Sequence, residues 1–380
     1  MSSIEKLLEI RPYSADPKTK AALLHPAVQE AMAHHFGCCA PFRRFCESHG
    51  YDPSATVGLA ELPFLPVKIF KRLDLRSATD IVRVLSSSAT SSQIPSRVAI
   101  DDTTRRRQMR SLVAILSDII GGLRRPFVVL DAPPPGKGAA GDGDGSGLAL
   151  SARIAGLRGY LLAASDVQYV LSNSADTPRL DVEKLRAVAQ GYCRSETPIC
   201  LLGYTYMLYK QVVRPMYDAG IRVELPRGTF VLHFGGWKRL RDEAVDKSTL
   251  NNMICEVFGI SAKQVRDIYG FTEQLGVIYP DDEAGVKRTP VYSEVIVRDP
   301  LTMRPLPDGQ IGLLQFITPL PHSYPGVSLV LDDMGRIVTR EPSGEGRCGT
   351  GFEVTGRAVG SEIRGCGDTL PDRIYAVAAR

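Results

Sequence analysis

Ile268-Tyr269-Gly270-Phe271-Thr272-Glu273-Gln274 is the stretch on which the reading of this chain turns. An apolar strand end runs into an aromatic residue, a glycine, a hydroxyl and a carboxylate. Phosphate chemistry uses that set. Glycine lets the backbone approach a ligand closely, a threonine hydroxyl donates to a phosphate oxygen, and a glutamate holds Mg²⁺. A plain strand-end turn is the competing reading of the same residues, and what precedes and follows them decides between the two.

Upstream, an apolar strand over Phe230–Leu232 leads into His233-Phe234-Gly235-Gly236-Trp237-Lys238. A Gly-Gly pair after a buried strand lets a flat ring lie against bare backbone; a Gly-Gly hairpin would look alike. Further upstream, Ser86-Ser87-Ser88-Ala89-Thr90-Ser91-Ser92-Gln93-Ile94-Pro95-Ser96 follows a strand over Ile81–Leu85. A hydroxyl-rich loop leaving a strand can wrap N–H and hydroxyl donors around a polyphosphate, although a serine-rich linker has the same composition. Downstream, Leu331-Asp332-Asp333-Met334-Gly335 is placed at a strand end, where a type I turn would also use Asp and Gly. Thr355-Gly356-Arg357 follows.

The 380 residues, 44% of them apolar, can bury a large core, and a length of ~150 residues per domain suggests two or three compact units. No apolar run reaches the ~18–20 residues of a membrane span, and the first ten residues mix charge into any apolar run, so neither integral membrane association nor a signal peptide is expected. A formal charge of +4 is mild. Arg105-Arg106-Arg107 and Arg124-Arg125 read as a solvated helix face or rim, and no nucleic-acid partner is expected. Eight cysteines (Cys38, Cys39, Cys46, Cys193, Cys200, Cys255, Cys348, Cys366) show no Cys-x-x-Cys pair, which fits reduced thiols and a cytoplasmic location. His34, Cys38 and Cys39 share a helical turn, but no second ligand pair accompanies them, so packing explains them better than metal.

Residues 1–60 read as helices packed on the main domain, with Pro17 near a helix start and apolar periodicity through Ala21–Phe36. Leu62–Val67 is an extended, proline-locked segment. Strands at Phe127–Leu130, Cys200–Leu202 and Phe230–Leu232 alternate with helices at Arg105–Ile120, Val182–Gln190 and Tyr206–Tyr217, giving an α/β core over 61–290 with a mostly parallel sheet. Helices then stop. Strands at Glu294–Val297, Leu313–Ile317, Ser328–Leu331 and Phe352–Thr355 make a β-rich subdomain over 291–357, followed by a short tail, 358–380. The run from Pro133 through Gly147 lacks the Gly-Lys-Ser/Thr ending of a nucleotide loop and has no calcium-loop glutamate; it reads as a surface loop.

In their order along the chain these segments resemble the signatures of adenylate-forming enzymes, which join a carboxylic acid to AMP. Tyr269–Glu273 resembles Tyr-Gly-x-Thr-Glu. The serine loop resembles Ser-Ser-Gly-Thr-Thr-Gly-x-x-Pro, with Ala89 and Ser92 replacing both glycines and no terminal lysine. Gly235-Gly236 resembles the adenine loop, Asp332-Asp333-Met334-Gly335 the Gly-Asp-x-Gly that grips the ribose, and Gly356-Arg357 the Gly-Arg that closes the large domain. A narrower resemblance lies in Leu62–Lys71, His233–Leu240, Pro319–Gly326 and Glu362–Thr369, which look like the acyl-protein synthetase (LuxE) family over roughly residues 60 to 370.

The resemblance implies the large α/β domain of the adenylate-forming superfamily with a β-rich subdomain and no separate C-terminal domain, since 23 residues follow Arg357, fewer than the ~40 a domain needs to fold alone. It implies ATP and Mg²⁺, and a fatty or aromatic acid activated as acyl-AMP. Ser87, Ser88, Thr90 and Ser91 would cradle phosphates, Gly235 and Gly236 flank adenine, and Tyr269 and Gly270 shape the site. Thr272 would bind phosphate, Glu273 hold Mg²⁺, Asp333 hold ribose, and Arg357 close the site. The acyl group would pass to Cys366, set between glycines near Arg364, or to a partner such as a reductase or carrier protein. Coenzyme A as acceptor, or a degenerate partner-binding member, are the alternatives; retention of Thr272, Glu273, Asp333 and Arg357 together argues against decay.

Overall fold

The computed structural model describes residues 2–87, 94–122, 124–133, 149–172, 178–237 and 243–358, with the main chain alone for 149–154. A six-stranded sheet runs in the order Tyr279–Pro280, Val265–Tyr269, Phe230–Phe234, Cys200–Tyr204, Arg125–Val129, Ala164–Tyr169. Only the edge strand Tyr279–Pro280 is antiparallel to its neighbour. Parallel neighbours need long crossovers, and the helices Val182–Arg194, Thr205–Asp218 (with a π-helical middle) and Lys247–Phe258 lie in them. The central strands are continuous apolar runs, as a sheet buried on both faces requires: Phe127–Leu130 and Ile199–Leu202 are wholly buried.

Helix starts follow local capping. Asp101 accepts from Thr104 N at 2.7 Å, which starts the helix at Asp102 rather than at Arg105. Asp181 does the same for Lys184 N at 2.9 Å, and Asp16, before Pro17, caps the long helix Pro17–Cys38. Within Leu62–Val67 only Leu65–Pro66 is a strand, and a tight helical turn, Val67–Lys71, takes over.

The second large sheet draws strands from residues 65–66 and 287–357. Its order is Lys287–Arg288, Gly351–Arg357, Ser328–Thr339, Gly312–Ile317, Glu294–Arg298, all antiparallel, with Leu65–Pro66 added parallel to Ser328–Thr339. One expectation is corrected. The strand from Ser328 does not end at Leu331; it carries Asp332–Gly335 through to Thr339, paired on both sides. Gly335 allows this by close approach, not by turning, because a Cβ there would meet Glu353 O at 2.1 Å. A third sheet sets Ile81–Ser86 between Arg97–Asp101 and Ala149–Ser151.

Aromatic rings join the two large sheets. Tyr279 and Phe352 lie 4.8 and 5.5 Å from Phe316, and Tyr269 packs on the same ring at 5.7 Å. The N-terminal helix docks on the β-rich sheet through buried Lys20, whose Nζ donates to Thr289 Oγ1 at 2.7 Å and meets Glu294 at 3.0 Å. Burial pushes the His35 imidazole down to about 3, so it packs neutral against Ser77 Oγ (2.7 Å) and the Pro321 carbonyl (3.2 Å). Among the described residues no helix is long and apolar enough to cross a membrane.

Candidate active site

In open α/β sheets ligands bind beyond the carboxyl ends of the strands. Val265–Tyr269 and Phe230–Phe234 are parallel neighbours in register, Phe234 opposite Ile268, so Gly235-Gly236 and Gly270–Glu273 leave the sheet side by side. Gly235 has φ +89°, and a Cβ on it would strike the Tyr204 ring at 2.9 Å. A Cβ on Gly236 would meet nothing within 4 Å. The backbone therefore lies against Tyr204 on one side and stays bare on the other, a surface suited to a flat ring. Tyr160, Phe234 and Tyr204 stack beneath it, with centroids 4.7 and 4.5 Å apart. His233 stays in the core, 3.0 Å from Thr205 Oγ1, and burial depresses its pKa.

Two motifs distant in sequence meet at the end of Val265–Tyr269. Tyr269 Oη donates to Asp333 Oδ2 at 2.6 Å, and Arg357 Nε donates to Asp333 Oδ1 at 2.8 Å. Antiparallel pairing puts Asp333 directly opposite Arg357. Burial, then the Asp333 charge, raise the Tyr269 hydroxyl well above its ordinary value, so it remains a donor. Asp332 points the other way along the pleat and meets Lys68 Nζ at 3.1 Å. The two adjacent aspartates thus have separate partners: Asp332 meets Lys68 of the proline-rich segment, and Asp333 joins Tyr269 and Arg357.

Thr272–Gln274 form a tight helical turn with Glu273 buried. Three bonds fix it from below. Tyr324 Oη donates to the Glu273 carbonyl at 2.8 Å, and Gln274 Nε2 donates to the carbonyls of Gly326 (2.9 Å) and Phe316 (3.2 Å). The Pro319–Gly326 segment singled out in the sequence is therefore the underside of the Thr272–Glu273 turn. Its His322 Nδ1 lies 2.5 Å from Asp101, and His34 stacks on His322 at 4.2 Å; the exposed Cys38 lies 3.8 Å from His34 Nδ1. Among the described residues no three His, Cys, Asp or Glu side chains group as a metal site.

Sequence reasoning missed a buried ionic network behind the site. Lys287 Nζ donates to Asp267 Oδ2 at 2.9 Å and Asp281 Oδ1 at 3.1 Å, and Lys247 meets Asp281 at 2.6 Å. Burial alone would raise Asp267, but Lys287 and His233 outweigh it and hold the carboxyl below its usual value; the two carboxylates likewise keep Lys287 raised despite burial. Strand Val265–Tyr269, the local Asp281–Lys287 bridge and the start of helix Lys247–Phe258 together assemble the network.

Ser87 lies at the base of the hydroxyl-rich loop, which is closed there: Ser87 N donates to Ser96 O at 2.9 Å and Ser96 N to Ser87 Oγ at 2.8 Å. Ser88, Thr90, Ser91 and Cys366 lie outside the described residues, as does most of the run from Pro133 to Gly147.

A family model described as acyl-protein synthetase, LuxE, matches residues 1–375. A long-chain-fatty-acid–luciferin-component ligase of Vibrio harveyi is 27% identical over 342 residues, covering 89% of this chain and 85% of the relative. The ligase of the same name from Aliivibrio fischeri is 25% identical over 325 residues, covering 83% and 79%. Among solved structures, 2-hydroxyisobutyryl-CoA ligase in its postadenylation state superposes with a TM-score of 0.64 at 15% identity, covering 91% of this chain and 70% of that one. The fold is thus that of adenylate-forming ligases.

Proposed function

The chain belongs to the acyl-protein synthetase (LuxE) family, and from that premise we propose how its residues carry out the reaction. As a member it is an acyl-protein ligase that activates a carboxylic acid as acyl-AMP and passes the acyl group on. The observation that carries the residue-level reading is the convergence of Tyr269, Asp333 and Arg357, at 2.6 and 2.8 Å, from three strands of two sheets.

In this reading ATP lies across the carboxyl end of the parallel sheet. Adenine rests on the bare face of Gly235-Gly236, and Asp333 accepts from the ribose hydroxyls with the lone pairs that Tyr269 and Arg357 leave free. Thr272 donates to phosphate, and Ser87, with Ser88, Thr90 and Ser91, surrounds the leaving pyrophosphate. Mg²⁺ is commonly held by one or two carboxylates together with substrate phosphates; Glu273 would supply such a carboxylate, and the ion would neutralise phosphate charge. A carboxylate oxygen of the acid attacks the α-phosphorus, the bond to the bridging oxygen breaks, and pyrophosphate departs with the electron pair. The protein contributes positioning and electrostatic stabilisation.

The second step passes the acyl group to a thiolate, which attacks the acyl carbon and releases AMP. We assign that thiol to Cys366 or to a partner protein such as a reductase. Units at 1–60, 61–290, 291–357 and 358–380, and a cytoplasmic setting suited to the free thiols of the described cysteines, belong to the same reading.

ATP–pyrophosphate exchange driven by an aliphatic or aromatic acid tests the first step; its absence across a broad panel would sink the reading. Cys366→Ser tests the second. The variant is expected to exchange pyrophosphate at the wild-type rate while losing a hydroxylamine-labile acyl label. A wild-type protein that makes acyl-AMP but never labels would move the acceptor to a partner.

A further inference from the structure

Between helix Asp102–Ile120, helix Ala152–Tyr160 and the Ile81–Ser86/Arg97–Asp101 hairpin lies a cavity of about 220 Å³ that extends to Leu275 and Gly276. Those two residues continue the Thr272–Gln274 turn, so the cavity adjoins the site where acyl-AMP forms. Leu85, Ile100 and Leu112 give it apolar walls. Its charge is one-sided among the described residues: Arg83, Arg105 and Arg158 line it, and no carboxylate does.

Arg105 is partly satisfied by Asp102, 2.9 Å away. Arg83 and Arg158 have no ion-pair partner among the described residues. Burial and the charges of Arg105 and Arg158 pull the half-buried Arg83 guanidinium below its ordinary value, while Arg105 and Arg158 sit at the exposed mouth. Gln108 also lines the cavity.

We propose that this cavity holds the body of the acid substrate, and that the acid carries a second anionic group bound by Arg83 and Arg158. The inference rests on the adenylation reading above. Three guanidiniums beside apolar walls match an organic dianion and mismatch a plain hydrocarbon tail. Size points the same way. A ~150 Å³ cavity takes benzene, so by proportion this one takes about nine non-hydrogen atoms, a ring or short chain with its charged end. The acid is thus compact, with one carboxylate directed to ATP and a second anion at the arginines.

The test is pyrophosphate exchange by the full chain on matched acids: hexanoate against adipate, benzoate against terephthalate, and tetradecanoate. The dianion is expected to exceed its matched monoanion in kcat/KM by about tenfold or more, the worth of one charged hydrogen bond. In Arg83→Gln that ratio falls towards one, mainly through KM for the acid, and Arg83→Lys restores part of it. If Arg83→Gln melts early, Arg158→Gln carries the same readout. A wild-type ratio near one, or tetradecanoate as best substrate with the ratio untouched by either variant, overturns the dianion while leaving adenylation standing. Intact exchange but slowed thioester formation in Arg83→Gln also overturns it, in favour of an anionic acceptor. No exchange with any acid brings down the adenylation reading and this inference with it.

Discussion

Two groups of charge lie around the strand Val265–Tyr269, and they are built differently. Behind the strand, Asp267 and Asp281 close on Lys287 and Lys247 at 2.6–3.1 Å, and Asp282 on Arg288 at 2.8 Å; every acid there has its base. Beyond the strand's carboxyl end the balance is incomplete. Asp333 keeps one charged and one neutral partner, and Arg83 and Arg158 of the neighbouring cavity have no ion-pair partner among the described residues. Balanced buried charge holds parts of a chain together, whereas charge facing a cavity without its counterpart is set aside for a ligand. If that contrast is right, substitutions behind the strand change stability and substitutions beyond it change the reaction.

The largest effect is expected behind the strand. Lys287→Met leaves two buried carboxylates without their shared cation and should cost about 3–5 kcal/mol of stability in urea unfolding. Adding Asp267→Asn should recover part of the loss; a folded single variant of wild-type stability would break the contrast at its root.

Next comes Glu273→Gln, which keeps the shape and removes an anion at the site. Exchange should fall by roughly 10²–10³-fold, the scale of losing one preorganised electrostatic group, with the melting temperature unchanged. Unaltered exchange in a folded variant would remove Glu273 from the metal-binding role.

Asp333→Ala should weaken ATP binding by about 1.5–3 kcal/mol per lost charge-assisted bond while sparing the acid. Its neighbour sharpens the comparison: Asp332→Ala loses only the contact with Lys68, so ATP affinity should change less. The reverse order would exchange the two aspartates' tasks.

The smallest effect is a pH dependence. Asp267 is held below its usual value, so its contribution is in place above the unfolded-state value of about 3.9 and is lost as pH falls towards the folded value. Lys287 is raised, so its contribution is present below about 10.4 and is lost as pH climbs past the folded value. Thermal stability should be flat across neutral pH and drop by about 1–2 kcal/mol on the acid side, less so in Lys287→Met. An equal acid loss in that variant would place the pH dependence elsewhere.

Legibility in the sequence followed the range of the interactions. Tyr269–Glu273, Gly235-Gly236 and the alternation of strands with helices were readable because each depends on neighbours a few residues away. The strand end placed at Leu331 was misread because Asp-Asp-Met-Gly has turn composition, and only pairing on both sides shows that the chain runs straight through. Lys287, Asp267 and Asp281 were missed, since the local Asp281–Lys287 bridge becomes a network only with strand Val265–Tyr269 and the start of helix Lys247–Phe258.

What the sequence determined by itself was therefore local form and family: the alternation of strands with helices, and the family pattern the motifs follow. The tertiary structure decided that Asp332 turns to Lys68 while Asp333 joins Tyr269 and Arg357, that Tyr324 and Gln274 support the Glu273 turn, and that three arginines from separate elements share one cavity. The physical reason is that side-chain direction in a strand alternates by one residue and sheet partners are chosen by packing. Neither can be read from a stretch of chain until its neighbours in space are known.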